Sequence, residues 1–154
     1  MTGDANTLVL GAQLLISGAL VFVLTLFHAL GLLGIGKVLH LEPEALRSRS
    51  IDLYSIMTMA GLGLMIFSLH IVEILMFATF YLGVGALQDL DHAIFVSASA
   101  YTTLGLTTWF PEKWRLIGAA EALIGFVLIG WSTAFMIGTM ESLREKPRDR
   151  KAGN

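Results

Sequence analysis

Three long apolar stretches, separated by short charged ones, set the pattern of the chain. Between Asp4 and Lys37 no residue carries a formal charge. Roughly 20 apolar residues suffice to cross a ~30 Å hydrocarbon core, so this stretch predicts one membrane-spanning helix at about residues 8–36. Between Asp52 and Asp89 the only formal charge is Glu73, accompanied by His70. A second span is expected at about residues 56–87, and its excess length predicts tilt or projection beyond the membrane. From Leu116 to Met140 the only charge is Glu121, near the start, which gives a third span.

A fourth uncharged run, from Ala93 to Pro111, reads differently. Seven of its nineteen residues carry hydroxyls (Ser97, Ser99, Tyr101, Thr102, Thr103, Thr107, Thr108), with Gly105 among them, a poor composition for a lipid-facing helix. Charge placement points the same way. Of the ten Lys and Arg residues, Lys37, Arg47 and Arg49 lie in the first loop, and Arg144, Lys146, Arg148, Arg150 and Lys151 lie in the tail. Three crossings put these eight on one side of the membrane and leave Lys113 and Arg115 on the other, as the positive-inside rule expects. Four crossings would put the basic tail outside. The run is therefore expected to enter the bilayer and return. Irregular backbone is tolerated at that depth where protein or a water-filled cavity surrounds it. Asp89 or Asp91 is expected to cap a short helix reaching about Thr103, after which Gly105 lets the chain turn back. Trp109 and Phe110 then fall where interfacial aromatics are favoured.

Composition strengthens the membrane reading. The 154 residues are 55% hydrophobic and 14% charged, with a mean hydropathy of +0.74, too apolar for a soluble domain of this size. Sixteen glycines against three prolines suit close helix packing in lipid. With no cysteine, disulfides, thiolate metal sites and a cysteine nucleophile are excluded. Residues 1–7 carry Asp4 and no basic residue, the wrong flank for a cleaved secretory signal, so the first apolar segment is expected to be retained.

The stretch Phe95-Val96-Ser97-Ala98-Ser99-Ala100-Tyr101-Thr102-Thr103-Leu104-Gly105, followed by Pro111, Trp114, Arg115 and a glycine-containing helix, resembles the pore domain of potassium channels. More closely, it resembles small bacterial proteins of the ion-channel (two-pore-domain-like) family. The resemblance covers about residues 56–140, and Thr102-Thr103-Leu104-Gly105 is its most specific part. It implies an outer helix, a re-entrant pore helix and loop, and an inner helix from each subunit of a homotetramer in a bacterial plasma membrane. The chain would then divide into an amino-terminal helix and cytoplasmic loop (1–55), the pore domain (56–140) and a basic cytoplasmic tail (141–154), with the amino terminus outside. In the family, filter carbonyls replace the potassium hydration shell, and the motif runs Thr-Val/Leu-Gly-Tyr/Phe-Gly-Asp. Here it reads Thr103-Leu104-Gly105-Leu106-Thr107-Thr108. A threonine where glycine's backbone freedom is normal departs from a standard filter beyond Gly105, so potassium selectivity is not carried over.

The expected ion pathway is thus Thr102, Thr103, Leu104, Gly105, Leu106, Thr107 and Thr108, with Leu106 a possible hydrophobic constriction. Against this stands the plain reading that the hydroxyls satisfy neighbouring backbone. His70 and Glu73 are three apart and share a helix face. Ionisable residues within a span face protein or water, so the pair is expected to support the pore segment. As metal ligands the two are a weak signal without a closely spaced third. His28, alone in the first span, is expected to be an ordinary bundle histidine. Glu121, six residues after Arg115 and so about 9 Å along the helix, is expected behind the re-entrant segment, accepting Ser or Thr hydroxyls or pairing with His70. Asp89, Asp91 and Glu112 would make the outer mouth acidic. The sequence predicts no enzyme, cofactor, metal or nucleic-acid partner. It predicts a channel-like protein passing monovalent cations (potassium or sodium) with weak selectivity. The alternatives are a non-conducting accessory subunit on the same scaffold and, more remotely, a metal-binding or enzymatic use of His70, Glu73 and His28.

Overall fold

A computed structural model describes residues 2–39, 53–105 and 110–144. The described chain is all helical: α1 (Thr2–Val38), α2 (Leu53–Gly83), α3 (Leu90–Tyr101), a single 3-10 turn (Glu112–Trp114) and α4 (Arg115–Arg144). Three segments, Leu10–Val38, Ser55–Gly83 and Glu112–Ser142, are long and apolar enough to cross a membrane. The protein is a multi-pass membrane protein by that measure. Leu87, Trp109 and the basic residues of the tail beyond Arg144 do not share one fate: Leu87 is described and buried, whereas Trp109 and the tail lie outside the described residues. So do Arg47 and Arg49, together with Leu106, Thr107 and Thr108.

Side-chain contacts fix the directions of the long helices. From α1 to α4 and the 3-10 turn before it, Gln13 donates to the Lys113 carbonyl, His28 meets Ser132, and Gly36 lies near Phe135, so both numbers rise together and the helices run parallel. From α1 to α2, His28 meets Glu73, Gly31 abuts Leu69, and Leu39 lies near Gly61, so α2 runs antiparallel to both. Up, down and up again is the arrangement that three crossings require.

α2 stops sooner than hydropathy predicts. Val84, Ala86 and Leu87 are apolar, yet the helix ends at Gly83. Gly85 adopts φ +67, the Gly85 amide donates to the Leu82 carbonyl at 3.0 Å, and the Ala86 amide donates to the Tyr81 carbonyl at 2.9 Å. This is a Schellman closure, which satisfies orphan carbonyls by placing a left-handed residue where glycine has no Cβ penalty. Turn chemistry overrode the apolar run.

α3 begins after Asp89, but not as expected. Asp89 occupies the N-cap position in extended backbone while its carboxylate makes no capping hydrogen bond; its carbonyl instead accepts from the Ala93 amide at 2.9 Å. The helix ends at Tyr101, two residues short of the expected Thr103. At twelve residues it is about 18 Å long, too short to cross a ~30 Å core. It packs between α2 and α4, burying Ala93, Val96, Ser97, Ser99, Ala100 and Tyr101. Tyr101 reaches Glu73, which lies ten residues before the end of α2, or about 15 Å along it. Phe110 then packs edge-on against Tyr81, with ring centroids 5.4 Å apart, back beside the end of α2. Tyr101 thus lies about a third of the way along α2 from its end, and Phe110 lies back beside that end.

Candidate functional site

Two buried carboxylates hold α3 in place. The first, Glu121 on α4, accepts the Tyr81 hydroxyl of α2 at 2.6 Å and lies 2.5 Å from the Ser97 hydroxyl of α3. The Ser97 hydroxyl is also 2.9 Å from the Ile74 carbonyl of α2. Glu121 and Ser97 are both fully buried. One side chain therefore joins three helices at the midpoint of α3. His70 takes no part in this group; it sits with the other carboxylate.

That second carboxylate, Glu73, is also fully buried and gathers groups from three helices directly. His28 of α1 places Nδ1 2.7 Å from its Oε1, and His70 of α2 places Nδ1 3.0 Å from its Oε2. The Tyr101 hydroxyl, at the inner end of α3, donates to the same Oε2 at 2.5 Å and lies 2.8 Å from His70 Nδ1. On the far side of His28, Nε2 lies 3.3 Å from the Ser132 hydroxyl of α4. The two imidazoles stack with centroids 5.5 Å apart, and Trp131 closes over His28 at the same distance. All four helices meet in this group.

Backbone proximity at the same place depends on Gly125 of α4. A methyl group there would collide with the Tyr101 carbonyl oxygen and lie 2.9 Å from Cγ of the Tyr101 ring. Because the obstacle is partly backbone, it cannot rotate aside, and the absent Cβ is what lets α4 approach the end of α3.

Beyond Tyr101 the chain turns sharply. Thr103 has φ +58 and Gly105 φ +120, and the Thr103 amide donates to the Ala100 carbonyl at 2.9 Å. A β-branched residue in the left-handed region costs about 1–3 kcal/mol, and such strain clusters at ligand clamps and switch regions. The hydroxyls of Ser99 and Thr102 each bond the carbonyl four residues earlier, Phe95 and Ala98, both at 2.7 Å. Such back-bonding explains how a hydroxyl-rich helix is accommodated among apolar neighbours. Residues 102–105 are nonetheless uncovered, Leu104 being 79% exposed. Of the expected ion-pathway residues, Thr102, Thr103, Leu104 and Gly105 form an exposed turn directly after α3, and Leu106, Thr107 and Thr108 lie outside the described residues.

The support residues His70, Glu73 and Glu121 fall in two groups, each reaching α3. The sequence assigns Tyr81 and Ser132 no part in either group, and it reads His28 as an ordinary bundle histidine and only remotely as a companion of His70 and Glu73. His28 and Glu73 are 45 positions apart, and no spacing rule links them. The signal available was only that each is an ionisable group in an apolar span, since such groups find one another in a bundle interior. The chain matches no protein-family model, and neither the curated proteins nor the solved structures contain a match to it.

Proposed function

We propose that the protein is a pore-loop membrane protein, assembled as a homotetramer, whose residues 102–108 line a path for monovalent cations with weak selectivity. The observation that carries this reading is the excursion of α3 about 15 Å along α2, with Phe110 back beside the end of α2 and the strained, uncovered Thr102–Gly105 turn following α3. Backbone carbonyls at such a turn are the groups that can replace an ion's water. The two carboxylates and the Gly125 approach hold the helix that presents them. Several copies around an axis would bring these turns together and cover the exposed Leu104 side chains. The resemblance of Thr103-Leu104-Gly105 to potassium-channel filters supports the same reading.

The test is cation flux into liposomes containing the purified protein, under potassium and sodium gradients. Flux well above protein-free liposomes is expected, and Gly105→Ala should remove it, because φ +120 is closed to alanine. Flux no different from empty liposomes across pH and voltage would leave the accessory-subunit reading in its place. Leu106→Tyr combined with Thr107→Gly should raise potassium over sodium selectivity if these residues line the path.

A further inference from the structure

We propose that His28, His70 and Glu73 form a buried site for one divalent first-row transition-metal ion, with Tyr101 as a fourth ligand. One donor atom from each of the first three lies within 4.8 Å of the others. Spacing along α2 supplied only a pair; the fold adds the third ligand from α1.

The edge lengths suit coordination. A six-coordinate ion with bonds of ~2.05 Å has adjacent ligands about 2.9 Å apart. The His28 Nδ1–Glu73 Oε1 and His70 Nδ1–Glu73 Oε2 separations, to the two different carboxylate oxygens, are 2.7 and 3.0 Å, and Tyr101 Oη is 2.8 Å from His70 Nδ1 and 2.5 Å from Glu73 Oε2, so the ion must spread the last pair. The donor set selects the class of ion. Two imidazoles with a carboxylate suit Fe²⁺, Co²⁺, Mn²⁺ or Zn²⁺, whereas Ca²⁺ and Mg²⁺ take oxygen cages, and soft Cu⁺ wants sulfur ligands.

Charge and outer contacts agree. A divalent ion bound by the Glu73 carboxylate and a Tyr101 phenolate makes a neutral group, with the phenol proton released on binding; neutrality is what a water-poor interior favours. Ligation through Nδ1 places the ring proton on Nε2, and His28 Nε2 already faces the Ser132 hydroxyl at 3.3 Å. Metal-bound histidines commonly donate their second ring N–H in this way. His70 is 15% exposed while His28 and Glu73 are fully buried, so His70 marks the side from which an ion enters.

The test uses the full-length protein, free of any polyhistidine tag, in detergent. It is stripped with chelator and titrated with Co²⁺, followed by visible d–d absorption, and with Zn²⁺, followed by elemental analysis. One ion per chain is expected. His28→Ala and His70→Ala should each weaken binding by more than the 10–100-fold typical of losing an outer-shell partner, and Ser132→Ala by about 10-fold. Leu15→Ala, at a position 77% exposed on α1, should leave binding unchanged. Size-exclusion and circular dichroism select folded variants; if neither alanine variant folds, Ser132→Ala and the cobalt spectrum of the wild-type protein decide. Substoichiometric binding by folded wild-type protein, a cobalt spectrum without nitrogen ligation, or undiminished binding in a folded histidine variant would overturn the site. The readout is independent of ion flux.

Discussion

The two buried carboxylates perform the same mechanical task in different chemical company. Among the described residues Glu121 is met by hydroxyls alone, those of Ser97 and Tyr81. Glu73 is met by two imidazoles and a phenol. Hydroxyl groups supply dipoles and no formal charge, so Ser97 and Tyr81 brace Glu121 without adding a nitrogen donor. Imidazoles can carry a proton or ligate a metal, so the Glu73 group can both brace and respond. Position matches this division: Glu121 grips the middle of α3, and Glu73 grips the end that leads into the Thr102–Gly105 turn.

The sharpest way to break the comparison is to remove the carboxylate where more groups depend on it. Glu73→Ala should destabilise the folded protein by about 3–5 kcal/mol, the usual cost of stranding buried polar partners, read as a lowered thermal midpoint in detergent. Gly125→Leu, which forces α4 away from Tyr101, should cost about 1–3 kcal/mol through overpacking. It should also reduce flux, since the turn would move. Tyr101→Phe removes one charge-assisted hydrogen bond from Glu73 and should cost about 1.5–3 kcal/mol at most. Tyr81→Phe deletes the corresponding bond at Glu121 and is expected to fall at the lower end of that range, about 1.5 kcal/mol, with flux retained. If flux proved more sensitive to Tyr81→Phe than to Tyr101→Phe, the division between bracing and responding would be wrong.

Much of the helix pattern was legible because a long apolar run has few alternatives to a span, and all three expected runs correspond to helices able to cross. Boundaries were less legible. Val84, Ala86 and Leu87 extend the hydropathy of α2, and only the glycines after Leu82 signalled the stop. The Asp89 cap was half legible: the residue type was right for the position, but its carboxylate makes no capping hydrogen bond. At the site, the His70–Glu73 pair was readable from helical periodicity. His28 was not, because its meeting with Glu73 depends on how α1 packs against α2, set by contacts such as Gly31 with Leu69. Tyr101 stood among seven hydroxyl residues with nothing local to single it out.

The placement of α3 also constrains how the protein is made. A chain emerging from the ribosome delivers α3 before α4 exists. At that moment the short helix has Glu73 and the Ile74 carbonyl to hold, but neither Glu121 nor the Gly125 groove. Its hydroxyl-bearing face therefore has no closed seat until α4 arrives. On this order of synthesis α4 closes the seat of α3, and a nascent chain arrested before Glu121 should remain open to protease between α2 and the arrest point.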